Sequence, residues 1–164
     1  MKHLCLPVNI NEATFYMSFF ELELKYLNMN RYPIENRTTP DWITELSYNE
    51  VFVFGSNLRG LHGGGAARFA MKWGAVYGQG VGLQGQTYAI PTMHGGVDEI
   101  RPYVDDFITF ASSHPDKRFL VTEIGCGIAG FNPEHIAPLF EKAIGVENIF
   151  LPQRFLEIIL TKNT

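Results

Sequence analysis

Cysteine is scarce in this chain. Cys5 and Cys126 are its two, far apart and without framework spacing, so a disulfide-built scaffold is excluded and a reducing cytoplasm is the simplest compartment. Basic residues are a scattered minority: 13 Lys and Arg against 17 Asp and Glu leave a formal net charge of −4. With no basic run and no aromatic–basic interleaving, no extended nucleic-acid surface is expected. No apolar stretch reaches the length of a transmembrane span, so no membrane partner is expected either. Lys2 and His3, followed by Pro7, Asn9, Asn11 and Glu12, make a poor signal peptide. His3, His62, His94, His114 and His135 lack zincin or zinc-finger spacing, which argues against a metal site. No cofactor is implied. The G-x-S-x-G elbow of serine hydrolases is missing, as is the phosphate loop ending in Gly-Lys-Ser/Thr. No internal repeat or low-complexity stretch occurs.

What is present is an ordinary globular composition. At 164 residues, 46% hydrophobic and 18% charged, the chain suffices for one domain with a real core. Residues 1–38 read differently from the rest. Asn11 can cap a helix over Glu12–Phe20, while Glu21–Leu27 alternates like a strand, and both readings stay open. Residues Asn28–Thr39 are polar and turn-rich, as in a linker or an extended arm. The expected division is an N-terminal extension over 1–38 and a domain over 39–164. Met29 is a plausible start, which would make the first 28 residues an appendage or an overextended beginning.

From Thr39 the pattern becomes regular. Thr39-Pro40-Asp41 reads as a capped helix start. Val51–Phe54 reads as a buried strand, Gly64–Trp73 as a helix stopped by Gly74, and Gln79–Gln86 as a glycine-rich loop. Thr87–Ile90 follows as a strand, then a helix over Pro102–Ser112 and a strand over Phe119–Glu123. A helix opens at Asn132-Pro133 and runs to Ile144, Asn148–Leu151 is a strand, and Phe155–Leu160 suits either a strand or a helix. Strands alternating with helices predict an α/β fold: a three-layer α/β/α sandwich around a mixed, mostly parallel sheet.

Two glycine-punctuated segments stand out within this order, Gly55–Gly65 and Glu123–Phe131. Each follows an apolar strand and precedes a helix, where glycines let backbone N–H groups approach an anionic ligand. The bland alternative is that the glycines only turn the chain and let helices pack close to strands. Gly80-Val-Gly-Leu-Gln-Gly85 matches G-x-G-x-x-G, but a strand rather than a helix follows, which excludes a dinucleotide fold. Cys126 between two glycines reads first as a small apolar filler, although nearby N–H groups can lower a thiol pKa. His62, Gln84, Gln86, His94 and Glu123 are the other polar residues near the presumed cleft. His62, beside the glycine run, is of the residue type best suited to acid–base work near neutrality, and Glu123 suits either a general base or a loop cap.

In these residues the chain resembles the macrodomain family of ADP-ribose-binding modules. The matching elements are Val51–Asn57, the glycine run Gly63-Gly64-Gly65 with Ala66-Ala67, and Ile124-Gly-Cys-Gly-Ile-Ala-Gly-Phe131. The Ile-Gly-Cys-Gly-Ile segment is most similar to the branch containing the terminal ADP-ribose protein glycohydrolase. The resemblance implies that Asn57 lines the distal ribose and that Gly63, Gly64 and Gly65 run beside it and the diphosphate. It implies that Gly125, Cys126, Gly127, Ile128, Ala129 and Gly130 wrap the diphosphate through their N–H groups, with Phe131 near the distal ribose. Asp41 in Asp41-Trp-Ile-Thr resembles the family aspartate that accepts from the adenine amino group, though a helix cap or surface carboxylate serves equally. The departures fall at reactive positions. Ala67, Thr92 or Met93, and Ala129 stand where related hydrolases keep aspartate, lysine and aspartate, and none of them can transfer a proton at neutral pH.

The expectation is therefore a binder of ADP-ribose or a related ADP-ribosyl or NAD-derived nucleotide, free or carried on a macromolecule. A hydrolase of ADP-ribosyl linkages or of ADP-ribose phosphate is the alternative, with Asn57 positioning substrate and His62 or Glu123 as acid–base. A structural or regulatory module without a nucleotide ligand is the third.

Overall fold

The computed structural model describes residues 34–162, and the alternatives read for Glu12–Phe20 and Glu21–Leu27 lie outside them. The described body begins with a 3-10 turn, Ile34–Asn36, and a two-residue strand β1, Thr38–Thr39. Next come β2 (Glu50–Ser56), helix α1 (Gly65–Ala70, continued as a 3-10 turn over Met71–Trp73), β3 (Gly82–Gln84) and β4 (Thr87–Pro91). Helix α2 (Val97–Ser112), β5 (Arg118–Val121), α3 (Pro133–Ile136, continued as a 3-10 stretch over Ala137–Gly145), β6 (Ile149–Pro152) and α4 (Gln153–Lys162) complete it. Among the described residues the strands form one sheet in the order β1-β6-β5-β2-β4-β3. Every neighbouring pair is parallel except β3 on β4, so the expected mixed, mostly parallel α/β/α architecture is what the chain adopts.

Strand β2 shows why both faces are apolar. Successive side chains alternate across a strand, so Val51 and Val53 enter a core with α2, α3 and α4, whereas Phe52 and Phe54 join Ala67 and Ala70 of α1. The first core is built on Phe107, Phe119, Phe140 and Phe155, all fully buried, with Phe107 edge-on to Phe119 at 5.6 Å between centroids. The second is thinner. Alanines on α1 let that short helix lie close to the sheet, and Trp73 closes it against Phe52 at 5.1 Å.

Several local expectations give way to longer-range pairing. Thr39-Pro40-Asp41 opens no helix: Thr39 pairs with Pro152 as part of β1, and residues 40–46 cross the sheet face without regular structure, with Ile43 and Leu46 packed on the thinner core. The Gln79–Gln86 segment is not all loop, because Gly82–Gln84 pairs antiparallel with β4 around a two-residue turn, with Gly85 at φ +55°. Helix α2 begins at Val97 rather than Pro102. The Glu99 carboxylate accepts the Gly96 N–H at 2.9 Å and caps that start, leaving Pro102 inside the helix. Residues Phe155–Leu160 resolve as helix, since Phe155, Leu156 and Ile159 bury one helical stripe.

Asn148, at the entry to β6, ties three loops together. Its Nδ2 donates to the carbonyls of Ala111, His114 and Lys117 at 2.9, 2.9 and 3.1 Å from a buried position. Asn148→Asp keeps the shape and loses the donor, setting a carboxylate against three carbonyl oxygens. It is expected to lose about 3 kcal/mol of stability in urea denaturation, and more than Asn148→Ala.

Candidate functional site

Strands β2 and β5 are neighbours and parallel, but the chain leaves them toward opposite faces of the sheet. After β2 it turns to α1 on the thinner core, and after β5 it turns to α3 on the thicker one. A crevice opens at the carboxyl ends of two such strands, which is where open α/β sheets bind ligands.

The loop after β2 is held from within. The Asn57 side chain donates to the Leu61 carbonyl at 2.9 Å and accepts the Leu61 N–H at 3.0 Å. The Gly60 N–H donates to the Asn57 carbonyl at 2.9 Å, closing a turn with Gly60 at φ +64°. The Ser56 hydroxyl donates to the Gly80 carbonyl, and a side chain at Gly80 would collide with the Asn57 carbonyl. His62 then drops beneath the loop. It is 2% exposed and edge-on to Phe54 at 5.3 Å between centroids. Neither ring nitrogen has a hydrogen-bond partner among the described residues.

The loop after β5 is pinned where it leaves the sheet. The Thr122 N–H and hydroxyl both donate to the Val53 carbonyl, at 3.0 and 2.9 Å. Two short bonds shape the rest: Phe131 N–H to the Gly125 carbonyl and Gly130 N–H to the Gly127 carbonyl, both 2.9 Å. They need Gly125 and Gly130 at φ +74° and +75°, a region side chains disfavour. The N–H groups of Gly127, Ile128 and Ala129 donate to nothing among the described residues. Ile128, 72% exposed, reaches back to the first loop. A β-carbon at Gly64 would lie 3.1 Å from its Cδ1, and one at Gly65 would lie 3.5 Å away. The two glycine loops thus meet over the crevice through one isoleucine.

Two cavities share this crevice. The inner one, about 340 Å³, is walled by both glycine loops together with Asn57, Ala67, Thr92 and Met93. The outer one, about 640 Å³, lies between residues 39–44 and the aromatic rings of Phe52 and Phe69. Gly65, Ala66, Thr122 and Glu123 line both. Among the described residues, Asp41 in the outer cavity and Glu123 at the junction are the only ionisable side chains on these walls. Neither carboxylate takes a hydrogen bond or ion pair among the described residues.

The structure brings together most residues singled out from the sequence. Asn57, Gly63, Gly64, Gly65, Gly125, Gly127, Ile128 and Ala129 line the inner cavity, and Asp41 the outer. His62, Cys126, Gly130 and Phe131 line neither cavity. Phe131 packs against the thicker core instead. Cys126 donates its thiol to the Ile124 carbonyl at 3.4 Å. Burial, reinforced by the Glu123 carboxylate and opposed by Arg154, pushes that thiol up to about 11. Gln84 and Gln86 are structural: Gln84 accepts the Val76 N–H at 2.7 Å, and Gln86 donates to the Ser47 carbonyl at 2.8 Å. The ring of His94 bonds the Glu99 carbonyl at 3.0 Å and meets Tyr103 edge-on. Trp42 and Phe69 were not anticipated as outer walls. Trp42 is 89% exposed on an irregular segment, a placement no periodicity announces. A scan against protein-family models and a search of the curated proteins both find no match.

A thiol held that high stays neutral at physiological pH and is a poor nucleophile. Peptide-mapped alkylation of Cys126 is expected to be slow near neutrality in the folded protein, to quicken only as pH approaches 11, and to become fast on unfolding.

Proposed function

We propose that this chain binds ADP-ribose, or a nucleotide carrying an ADP-ribosyl group, in a macrodomain-like manner. One observation carries the reading: two glycine loops from adjacent parallel strands wall a single cavity, bridge over it through Ile128, and leave three consecutive N–H groups without partners among the described residues. Backbone N–H groups in a concave turn bind phosphate oxygens without any cation, which suits a cavity that no lysine or arginine lines among the described residues. The outer cavity supports a base. It offers the exposed aromatic side chains of Trp42 and Phe69 for stacking, and the Asp41 carboxylate as an acceptor for an exocyclic amino group.

Binding is favoured over hydrolysis by what the inner wall lacks. On this reading a distal ribose would lie against Ala67, Thr92, Met93 and Ala129 of the inner wall, and none of these can serve as general acid, base or nucleophile at neutral pH. Asn57 spends its amide on Leu61, and His62 is sealed beneath the loop. Glu123 is the one ionisable group on that wall among the described residues. The module therefore reads as a reader of ADP-ribose, free or attached to a macromolecule.

Calorimetry is expected to show saturable binding of ADP-ribose, weaker binding of AMP and no heat with buffer. Gly127 has open space around its Cα, so Gly127→Ala should keep the affinity within about threefold, whereas Gly127→Glu should weaken it more than about 100-fold by like-charge repulsion. Incubation with ADP-ribosylated protein or ADP-ribose 1″-phosphate should release no product. Unchanged affinity in Gly127→Glu would remove the second loop from the site.

A further inference from the structure

The walls of the crevice follow one another in the order of the parts of a nucleotide: an aromatic outer cavity, a junction, then a glycine-lined inner cavity. The junction carries Glu123. We infer that Glu123 reads the free 2′,3′-diol of the ribose joined to the base, restricting the ligand to ribonucleotides without a 2′-phosphate. This inference rests on the nucleotide reading above and adds the sugar to it.

A carboxylate is only an acceptor, so whatever lies against Glu123 must bring donors. Between the base and the diphosphate, a nucleotide has donors only on its ribose hydroxyls. Glu123 is exposed and has no protein partner among the described residues, so it gives up no existing bond to take them. Its backbone is fixed by the Cys126 N–H donating to its carbonyl at 3.2 Å, just beyond the Thr122 anchor on Val53. The side chain therefore springs from a defined point.

A 2′-phosphate at the same position would set about two further negative charges against that carboxylate. Among the described residues Asp41 is the other charge on the cavity walls, of the same sign, and no lysine or arginine lines either cavity. Arg154 on α4 acts on Cys126 but lines neither cavity. The unpartnered N–H groups of Gly127, Ile128 and Ala129 belong to the inner loop and are committed to the diphosphate in this arrangement. Among the described residues the crevice thus has no cationic side chain with which to neutralise a phosphate on the nucleoside sugar.

Calorimetry of the full chain with ADP-ribose, its adenosine 2′-deoxy analogue and ADP-ribose 2′-phosphate tests this. Wild-type protein is expected to bind ADP-ribose about 10-fold more tightly than the deoxy analogue and at least about 30-fold more tightly than the 2′-phosphate. In Glu123→Gln, whose melting temperature verifies the fold, the 2′-phosphate gap should shrink to under about fivefold, and Glu123→Arg should invert it. Equal or tighter binding of the 2′-phosphate by wild-type protein overturns the inference and leaves the nucleotide reading standing. Failure to bind any of the three overturns the nucleotide reading itself.

Discussion

The parallel pairing of β2 with β5 is the constraint on which the crevice depends. Its register runs from Glu50 opposite Arg118 to Val53 opposite Val121 and is fastened at both ends. At the start, the Arg118 guanidinium lies 3.1 Å from the Glu50 carboxylate and over the Phe150 ring at 4.6 Å. At the finish, Thr122 donates twice to the Val53 carbonyl. A slip of one residue would exchange the two faces of the strand, sending Val51 and Val53 toward α1 and Phe52 and Phe54 toward α2. It would also part the loops that now meet through Ile128. The glycines of these loops make a site only because the strands beneath them hold one alignment.

As a proposed anion site the crevice is electrostatically unusual, since among the described residues the ionisable side chains on its walls are both carboxylates. On the proposed reading, attraction to a diphosphate comes from backbone dipoles, which are fixed, short-ranged and little affected by salt. Such a site discriminates by shape and by the position of donors more than by total charge. A net charge of −4 is compatible with it, because the acidic surface steers anions away in general while the loop accepts one geometry. Among the described residues Glu123 is the only ionisable side chain on the inner wall, beside Ala67, Thr92, Met93 and Ala129.

The layered fold and both glycine loops were legible in the sequence because each rests on local pattern. Val51–Phe54 is apolar on both faces as a central parallel strand must be, and glycines at a strand end announce positive φ or close approach. What escaped was decided by distant partners. Strand β3 lies in a glycine-rich stretch that forms a strand only because β4 supplies its ladder. Thr39-Pro40 has helix-start chemistry, yet β6 takes Thr39 as an edge partner. His62 looked like a cleft residue by its place beside the glycines, but the turn closed by Asn57 and Leu61 sends it under the loop against Phe54. Trp42 shows the reverse case, a residue on an unpatterned segment that tertiary packing brings to the rim of the outer cavity.

The most direct measurement is a crystal of the protein soaked with ADP-ribose. The account predicts one continuous ligand with its base between Trp42 and Phe69 and its diphosphate oxygens about 2.7–3.2 Å from the N–H groups of Gly127, Ile128 and Ala129. Its distal ribose should lie beside Ala67 and Met93. An empty crevice at saturating ligand, or a ligand bound elsewhere while the two glycine loops remain in contact through Ile128, would contradict it.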